Sequence, residues 1–126
     1  GLPVMIEAIG VAAGKRPTDP ACVRLAARAA QELGADIVKA HYTGDPESFR
    51  AVVSGCPAPL LVLGGEKAEG PEPLFRDVYD SLLAGGAGVA IGRNVWGGGD
   101  ALAMVEALVG LVHEGWSVER AMKRVG

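Results

Sequence analysis

Four short apolar runs, each followed by a stretch with helical patterning, constrain the fold of this chain most strongly. Each run is rich in Val, Ile or Leu and has the length of a strand buried in a parallel sheet. Val4, Ile37, Leu60 and Val89 mark the four runs. The intervals between successive markers are 33, 23 and 29 residues, as expected for successive strand–helix units. The predicted strands are Pro3–Ala8, Asp36–Tyr42, Pro59–Leu63 and Gly88–Ile91.

Local start and stop signals mark the helices between and after these runs. A Thr-Asp-Pro sequence opens the first helix and Gly34 ends it, while Asp45-Pro46 opens the second. Ser117 begins a terminal helix with a capping-box-like sequence. The four other predicted helices are Asp19–Leu33, Asp45–Val53, Pro71–Leu83 and Asp100–Val112.

Four βα units are compatible with two ways of arranging a parallel sheet. One is an open, doubly wound sheet, and the other is one contiguous half of an eight-stranded βα barrel. A whole barrel usually needs about 250 residues, whereas this sequence has 126. Length alone therefore favours the open sheet.

Composition and charge narrow the classes of partner. The chain is 49% hydrophobic and 21% charged, which suits one domain with a sizeable core. Its formal net charge of −3 offers no general attraction for nucleic acid or anionic lipid, so we expect neither as a partner. The first ten residues contain too short an apolar run for a signal peptide or membrane helix. With Cys22 and Cys56 expected to be reduced thiols, the predicted location is the cytoplasm.

The second predicted strand carries two side chains that could take part in catalysis, those of Lys39 and His41. Strand alternation places Ile37, Lys39 and His41 on one face and Val38, Ala40 and Tyr42 on the other. Lys39 thus lies near the carboxyl end of a buried parallel strand, where α/β folds place ligands. Burial favours the neutral amine that attacks a carbonyl to form a Schiff base. From the pattern alone, a lysine that reaches solvent or pairs with a carboxylate is the stronger interpretation.

Glycines and an arginine follow the next two strands. Leu60–Leu63 is followed by Gly64-Gly65, and Gly88–Ile91 is followed by Gly92-Arg93. Backbone without side chains lets amide N–H groups approach phosphate oxygens, and a guanidinium adds a planar, charged donor. Gly64, Gly65, Gly92 and Arg93 therefore predict a phosphate site.

Three motifs in this order resemble a known family. They are the runs from Gly34 to Asp45, from Leu63 to Lys67 and from Ile91 to Trp96. Together they resemble the class I (Schiff-base) aldolases that include archaeal-type fructose-bisphosphate aldolase, aminodideoxyheptulosonate synthase and the autoinducer-2 thiolase. The resemblance covers the C-terminal half of the barrel, and it implies an α/β fold of four parallel βα units, the second half of a TIM (β/α)8 barrel. It assigns Lys39 as the Schiff-base lysine and supports the phosphate site.

The resemblance leaves the branch of the family open. The segment from Val112 to Glu119 is most similar to the heptulosonate synthases, whereas Ser54-Gly55-Cys56-Pro57 is more similar to the thiolase. Ala8 stands at the apparent place of the tyrosine acid/base of the aldolase and synthase branches, and Leu63 stands where a serine is common.

Without this tyrosine, another side chain would have to transfer the proton. Glu7, His41 and Tyr42 are the candidates, although each also has a structural interpretation. Glu7 could be the ion-pair partner of Lys39, His41 a hydrogen-bonded residue at the strand end, and Tyr42 a packing residue beneath the helices.

The resulting functional hypothesis is a Schiff-base carbon–carbon lyase or transferase acting on a phosphorylated ketose or related sugar phosphate, with no metal and no other cofactor. The alternative is a non-catalytic phosphosugar-binding half-barrel or an inactive fragment of such an enzyme. We expect residues 1–126 to form one half-barrel. Its two edge strands would lack neighbours, so we also expect it to associate, either as a homo-oligomer or as a piece of a longer enzyme.

Overall fold

A computed structural model of the chain describes residues 1–66 and 69–126. Strands and helices alternate along it as the apolar runs predict, and three helices follow the last strand. The strands are β1 (Met5–Ala8), β2 (Ile37–Ala40), β3 (Leu60–Leu63) and β4 (Gly88–Ala90). The helices are α1 (Pro20–Glu32), α2 (Pro46–Ser54), α3 (Glu72–Leu83), α4 (Arg93–Trp96), α5 (Ala101–His113) and α6 (Val118–Val125).

The four strands form one parallel sheet in the order β1-β2-β3-β4. A doubly wound sheet reverses direction at a switch point, whereas here each strand lies next to its predecessor. Right-handed crossovers that all step in one direction place their helices on one face. The fold is therefore a partial βα barrel, and the open-sheet alternative that chain length favoured is wrong.

Strand alternation divides the sheet into a helix-covered face and an open face. Val38, Ala40, Leu60 and Val62 are buried on the first, against residues of α1 and α2. The neighbouring positions of the same strands point to the other face, where Met5 is 49% exposed. The open face corresponds to the lumen of a barrel.

Side-chain caps explain why the helices begin where the sequence predicts. Asp19 accepts hydrogen bonds from the amides of Ala21 and Cys22, and Asp45 accepts one from Ser48. Gly34 after α1 has a φ of +97°, a conformation that favours glycine. The short helix α4 was not predicted, and the strands are shorter than their apolar runs, so His41 and Tyr42 lie just beyond β2.

Two groups of buried side chains hold the layers together. One joins β1, β2 and β3 to α1 and α2, and the other joins α3, α5 and α6, with Val89 of β4 packed against it. Phe49 is fully buried in the first group and Phe75 in the second. Within the described ranges, no helix is long and apolar enough to cross a membrane.

Tyr42 belongs to the helix-covered core. Its side chain is only 6% exposed, and its ring meets Phe49 edge-on at a centroid distance of 5.3 Å. Among the residues that the structure describes, its buried hydroxyl has no hydrogen-bond partner. Burial, reinforced by the negative charges of Asp80, Asp77 and Asp45, raises the pKa of Tyr42 to about 12. The packing interpretation of Tyr42 is therefore confirmed.

This phenol predicts a specific alkaline sensitivity. A free tyrosine has a pKa of about 10, so the folded state holds the proton more tightly than the unfolded state. The free energy of unfolding therefore keeps its full value below pH ~10 and falls as the pH rises towards ~12. Tyr42→Phe should change the free energy of unfolding at pH 7 by about 0.5 kcal/mol or less, because no hydrogen bond to described residues is lost. Urea unfolding should show a flatter alkaline profile for the variant, and parallel profiles would contradict this assignment.

Candidate functional site

Lys39 and Glu7 form an ion pair on the open face of the sheet. The two residues are register partners on β1 and β2. The Nζ atom of Lys39 lies 3.2 Å from the Oε2 atom of Glu7 and donates a hydrogen bond to it. The Lys39 side chain is 22% exposed, whereas that of Glu7 is 47% exposed. The amine is thus shielded yet accessible, with a proton acceptor in direct contact.

The register explains why Glu7, and not Ala8, faces Lys39. Ala8 pairs with Ala40 and is buried in the helix-covered core. Because successive strand residues point to opposite faces, a larger side chain at position 8 would enter that core. On the open face, the β1 side chain next to Lys39 is therefore that of Glu7.

The loops after β3 and β4 are joined by side chains from α4. The Arg93 Nη2 atom donates a hydrogen bond of 3.1 Å to the Gly65 carbonyl. The Asn94 Nδ2 atom donates to the carbonyls of Gly64, at 2.8 Å, and Glu66, at 3.2 Å. Together the two side chains hold three successive carbonyls. The predicted phosphate-binding residues are thereby brought next to one another.

The glycines in these loops serve different steric needs. A Cβ atom on Gly64 would lie 2.8 Å from the Ile91 Cγ2 atom, so this glycine allows the two loops to approach closely. Gly65 has a φ of +61°, where side chains other than hydrogen are disfavoured. A Cβ atom on Gly92 would lie 2.6 Å from the Trp96 ring. Packing and turn geometry therefore account for all three glycines.

A cleft of about 220 Å³ connects the ion pair with these loops. Its lining includes the amine of Lys39, the carboxylate of Glu7 and the guanidinium of Arg93. Trp96 forms part of its wall and is 70% exposed. The lining residues are Glu7, Lys39, Leu63, Gly64, Gly65, Ala90, Gly92, Arg93, Asn94 and Trp96.

His41 occupies a separate position among the predicted catalytic residues. It follows the last residue of β2, is partly buried and is not among the residues that line the cleft. Burial lowers the pKa of His41 below 6.5, although the negative charge of Glu7 opposes this effect. The lowered pKa favours the uncharged imidazole, which is the form that accepts a proton.

Asn94 is a polar residue of the cleft for which the sequence predicted no role. Its sequence signal is weak, because its hydrogen-bond partners are backbone carbonyls about thirty residues away. Lys67, which ends the second family motif, lies outside the described residues. In the parts of the chain that the structure describes, no three His, Cys, Asp or Glu side chains are grouped so that they could hold a metal ion.

Comparison with known proteins now identifies the family. A family model described as DeoC/LacD family aldolase matches residues 1–98. The class 1 fructose-bisphosphate aldolase of Thermoproteus tenax is 46% identical over 99 residues, which cover 78% of this chain and 38% of that protein. The 2-amino-3,7-dideoxy-D-threo-hept-6-ulosonate synthase of Halobacterium salinarum is 36% identical over 126 residues, covering 100% of this chain and 47% of that protein.

A solved structure gives the same result. An archaeal fructose-1,6-bisphosphate aldolase with its catalytic Lys covalently bound to the carbinolamine intermediate superposes with a TM-score of 0.83 at 40% identity. The match covers 88% of this chain and 45% of that one, so the chain spans less than half the length of these relatives. The resemblance to class I aldolases is confirmed, and the chain belongs to the DeoC/LacD family of aldolases.

Proposed function

We propose that this chain supplies the Schiff-base half of a carbon–carbon lyase or transferase acting on a phosphorylated ketose or related sugar phosphate. The observation that carries the proposal is the Lys39–Glu7 pair, 3.2 Å apart at the edge of a cleft that also contains Arg93. The relatives named as sugar-phosphate aldolases support the same class of substrate.

The ion pair provides a route to the reactive amine. Transfer of one proton from the Lys39 ammonium to the Glu7 carboxylate leaves a neutral amine and a carboxylic acid. The amine then attacks the ketone carbon to form a carbinolamine, and protonation of its hydroxyl by Glu7 expels water. The resulting iminium withdraws electrons from the adjacent carbon–carbon bond. Glu7 is thus the proposed catalytic acid/base beside the nucleophile Lys39.

His41 is proposed as a second proton-transfer group. Burial lowers the pKa of His41 and so favours its uncharged, proton-accepting form, while the negative charge of Glu7 acts in the opposite direction. Since it does not line the cleft, its action would pass through Glu7 or through the arriving substrate. Its role is therefore secondary to that of Glu7.

The phosphate of the substrate is proposed to bind between Gly64-Gly65 and Gly92-Arg93. Arg93 is the charged donor of this site, and it borders the same cleft as Lys39. Binding the phosphate there would hold the ketone carbon against the amine and convert a bimolecular encounter into an oriented one. Leu63, also in the cleft wall, contributes no hydroxyl donor to this site.

Removal of the Arg93 guanidinium should weaken the binding of phosphorylated ligands more than that of unphosphorylated ones. We expect Arg93→Ala to weaken binding of dihydroxyacetone phosphate by about 1.5–3 kcal/mol, the cost of losing a hydrogen bond to a charged group. Binding of unphosphorylated dihydroxyacetone should change much less. Calorimetry on both ligands makes the comparison, with Arg76→Ala on the exposed side of α3 as the matched control. Equal losses for the two ligands would reject the assignment.

Borohydride reduction separates the proposed enzyme from a non-catalytic binder. The chain is incubated with dihydroxyacetone phosphate, reduced, and weighed by intact-mass spectrometry. A Schiff base is reduced to a stable secondary amine, so one added ligand per chain is expected. Saturating ligand that binds in calorimetry but gives no adduct would show that the chain is a phosphosugar-binding half-barrel.

Residues 1–126 are proposed to act as one half-barrel that associates through its open edges. Within the described sheet, β1 and β4 each pair on one side only. An apolar groove of about 570 Å³ runs between β4 and α5, bordered by Leu61, Val89 and Val109. We propose that a second copy covers these surfaces, forming a cytoplasmic homo-oligomer. Light scattering should give at least twice the mass of one chain, and a monomer that resists concentration would refute the association.

A further inference from the structure

Asn94 is a buried polar residue between the two predicted phosphate loops. It is 9% exposed, and Ser81 is the other buried polar or charged residue in the described part of the chain. A buried amide is retained at low cost only when its hydrogen bonds are satisfied. Asn94 meets this condition by donating to the carbonyls of Gly64 and Glu66. A residue of α4 thus fastens the loop that follows β3.

The contact between the loop and Asn94 is close. A Cβ atom on Gly64 would lie 2.8 Å from Ile91 and 3.3 Å from the Asn94 Nδ2 atom, so a larger residue at position 64 would lift the loop away. The intervening Gly65 carbonyl is held by Arg93. Asn94 therefore binds the carbonyls on both sides of Gly65, and Arg93 binds the carbonyl of Gly65 itself.

Fixing these carbonyls also fixes the amides of the loop. In a planar trans peptide, the C=O of one residue and the N–H of the next point in opposite directions. The bond from Asn94 to Gly64 therefore turns the Gly65 N–H away from Asn94. The bond from Arg93 to Gly65 turns the Glu66 N–H away from the guanidinium. Backbone N–H groups held in advance bind an anion without paying for ordering at the moment of binding.

We propose that Asn94 is a positioning residue that presets the loop after β3 for the substrate phosphate. The inference rests on the proposed phosphate site, and it goes further by naming the side chain that shapes it. Asn94 acts through the orientation of Gly64–Glu66 alone, whereas Arg93 holds the Gly65 carbonyl and also carries a positive charge. Its loss should therefore weaken recognition of the phosphate while leaving the chemistry of Lys39 intact.

The test compares adduct formation by dihydroxyacetone phosphate and by dihydroxyacetone under borohydride reduction. In Asn94→Ala, the concentration of dihydroxyacetone phosphate that gives half-maximal trapping should rise about tenfold or more, the loss expected from about 1.4 kcal/mol. The value for dihydroxyacetone and the maximal trapping rate should each stay within about twofold, which corresponds to about 0.4 kcal/mol.

Two further variants separate positioning from general loss of stability. Asn94→Asp keeps the side-chain volume but donates no hydrogen bond and carries negative charge, so it should weaken phosphate recognition at least as much as Asn94→Ala. Val52→Ala removes buried methyl groups from the other core and should leave the ratio of the two ligands unchanged.

The outcomes distinguish a failure of the positioning role of Asn94 from a failure of the proposed phosphate site. A wild-type ligand ratio in both Asn94 variants would overturn the positioning role, and so would an equal change in Val52→Ala. If the wild-type chain itself shows no preference for the phosphorylated ligand, and Arg93→Ala has no effect, the phosphate site itself is wrong.

Discussion

Replacing Lys39 with methionine is expected to abolish the reductively trapped ketose adduct. It should also lower any lyase turnover by a factor on the order of 10⁴ or more, because the variant has no nucleophile to form the iminium. Methionine retains most of the length of lysine, and the Glu7 carboxylate left behind is 47% exposed and can be hydrated. The fold should therefore survive, and intact-mass spectrometry with circular dichroism checks both points.

Two matched variants sharpen this prediction. Lys15→Met removes an exposed lysine that pairs with Asp19 and should trap ligand like the wild type. Glu7→Gln should still give an adduct on Lys39, but form it about 10²–10⁴-fold more slowly, because the proton acceptor is lost. An undiminished adduct in Lys39→Met would contradict the assignment of the nucleophile.

Phe49→Ala is expected to cause the largest loss of stability. The side chain is 0% exposed, contacts the Tyr42 ring at a centroid distance of 5.3 Å, and would lie 3.4 Å from a Cβ atom on Gly86. Its removal eliminates buried apolar surface and leaves a cavity, at a cost of about 3–5 kcal/mol. This is a large fraction of the roughly 5–15 kcal/mol that stabilises a typical domain.

Urea unfolding measures this effect. Arg50→Ala, the next residue of α2 and solvent-exposed, should change the free energy of unfolding by about 0.5 kcal/mol or less. If Phe49→Ala costs less than about 1 kcal/mol, Phe49 is not the fully buried core residue described above.

The elements of the fold could be predicted because their signals are local. Asp19, Asp45, Asp100 and Ser117 each cap the helix that follows them, and each can be recognised from its immediate neighbours. The curvature of the sheet has no such signal, because open sheets and barrels share the same βα pattern. Only the order of the strands excludes the open sheet.

The candidate site was predicted in part for a similar reason. Lys39 and the glycine pairs stand at strand ends in short motifs, which the sequence displays directly. The partnership of Glu7 with Lys39 depends on strand register, which decides whether residue 7 or residue 8 faces the amine. The role of Asn94 depends on carbonyls of a distant loop, and backbone atoms leave no pattern in a sequence.

The central claim, that Lys39 is the Schiff-base lysine, is tested most directly by locating the trapped ketose in the wild-type chain. Trypsin cleaves after unmodified lysine but not after a lysine alkylated on its amine. We predict that reduction in the presence of dihydroxyacetone phosphate yields an uncleaved peptide of residues 29–50 carrying one ligand on Lys39. An adduct at Lys15, Lys67 or Lys123 instead, with Lys39 cleaved normally, would contradict the account.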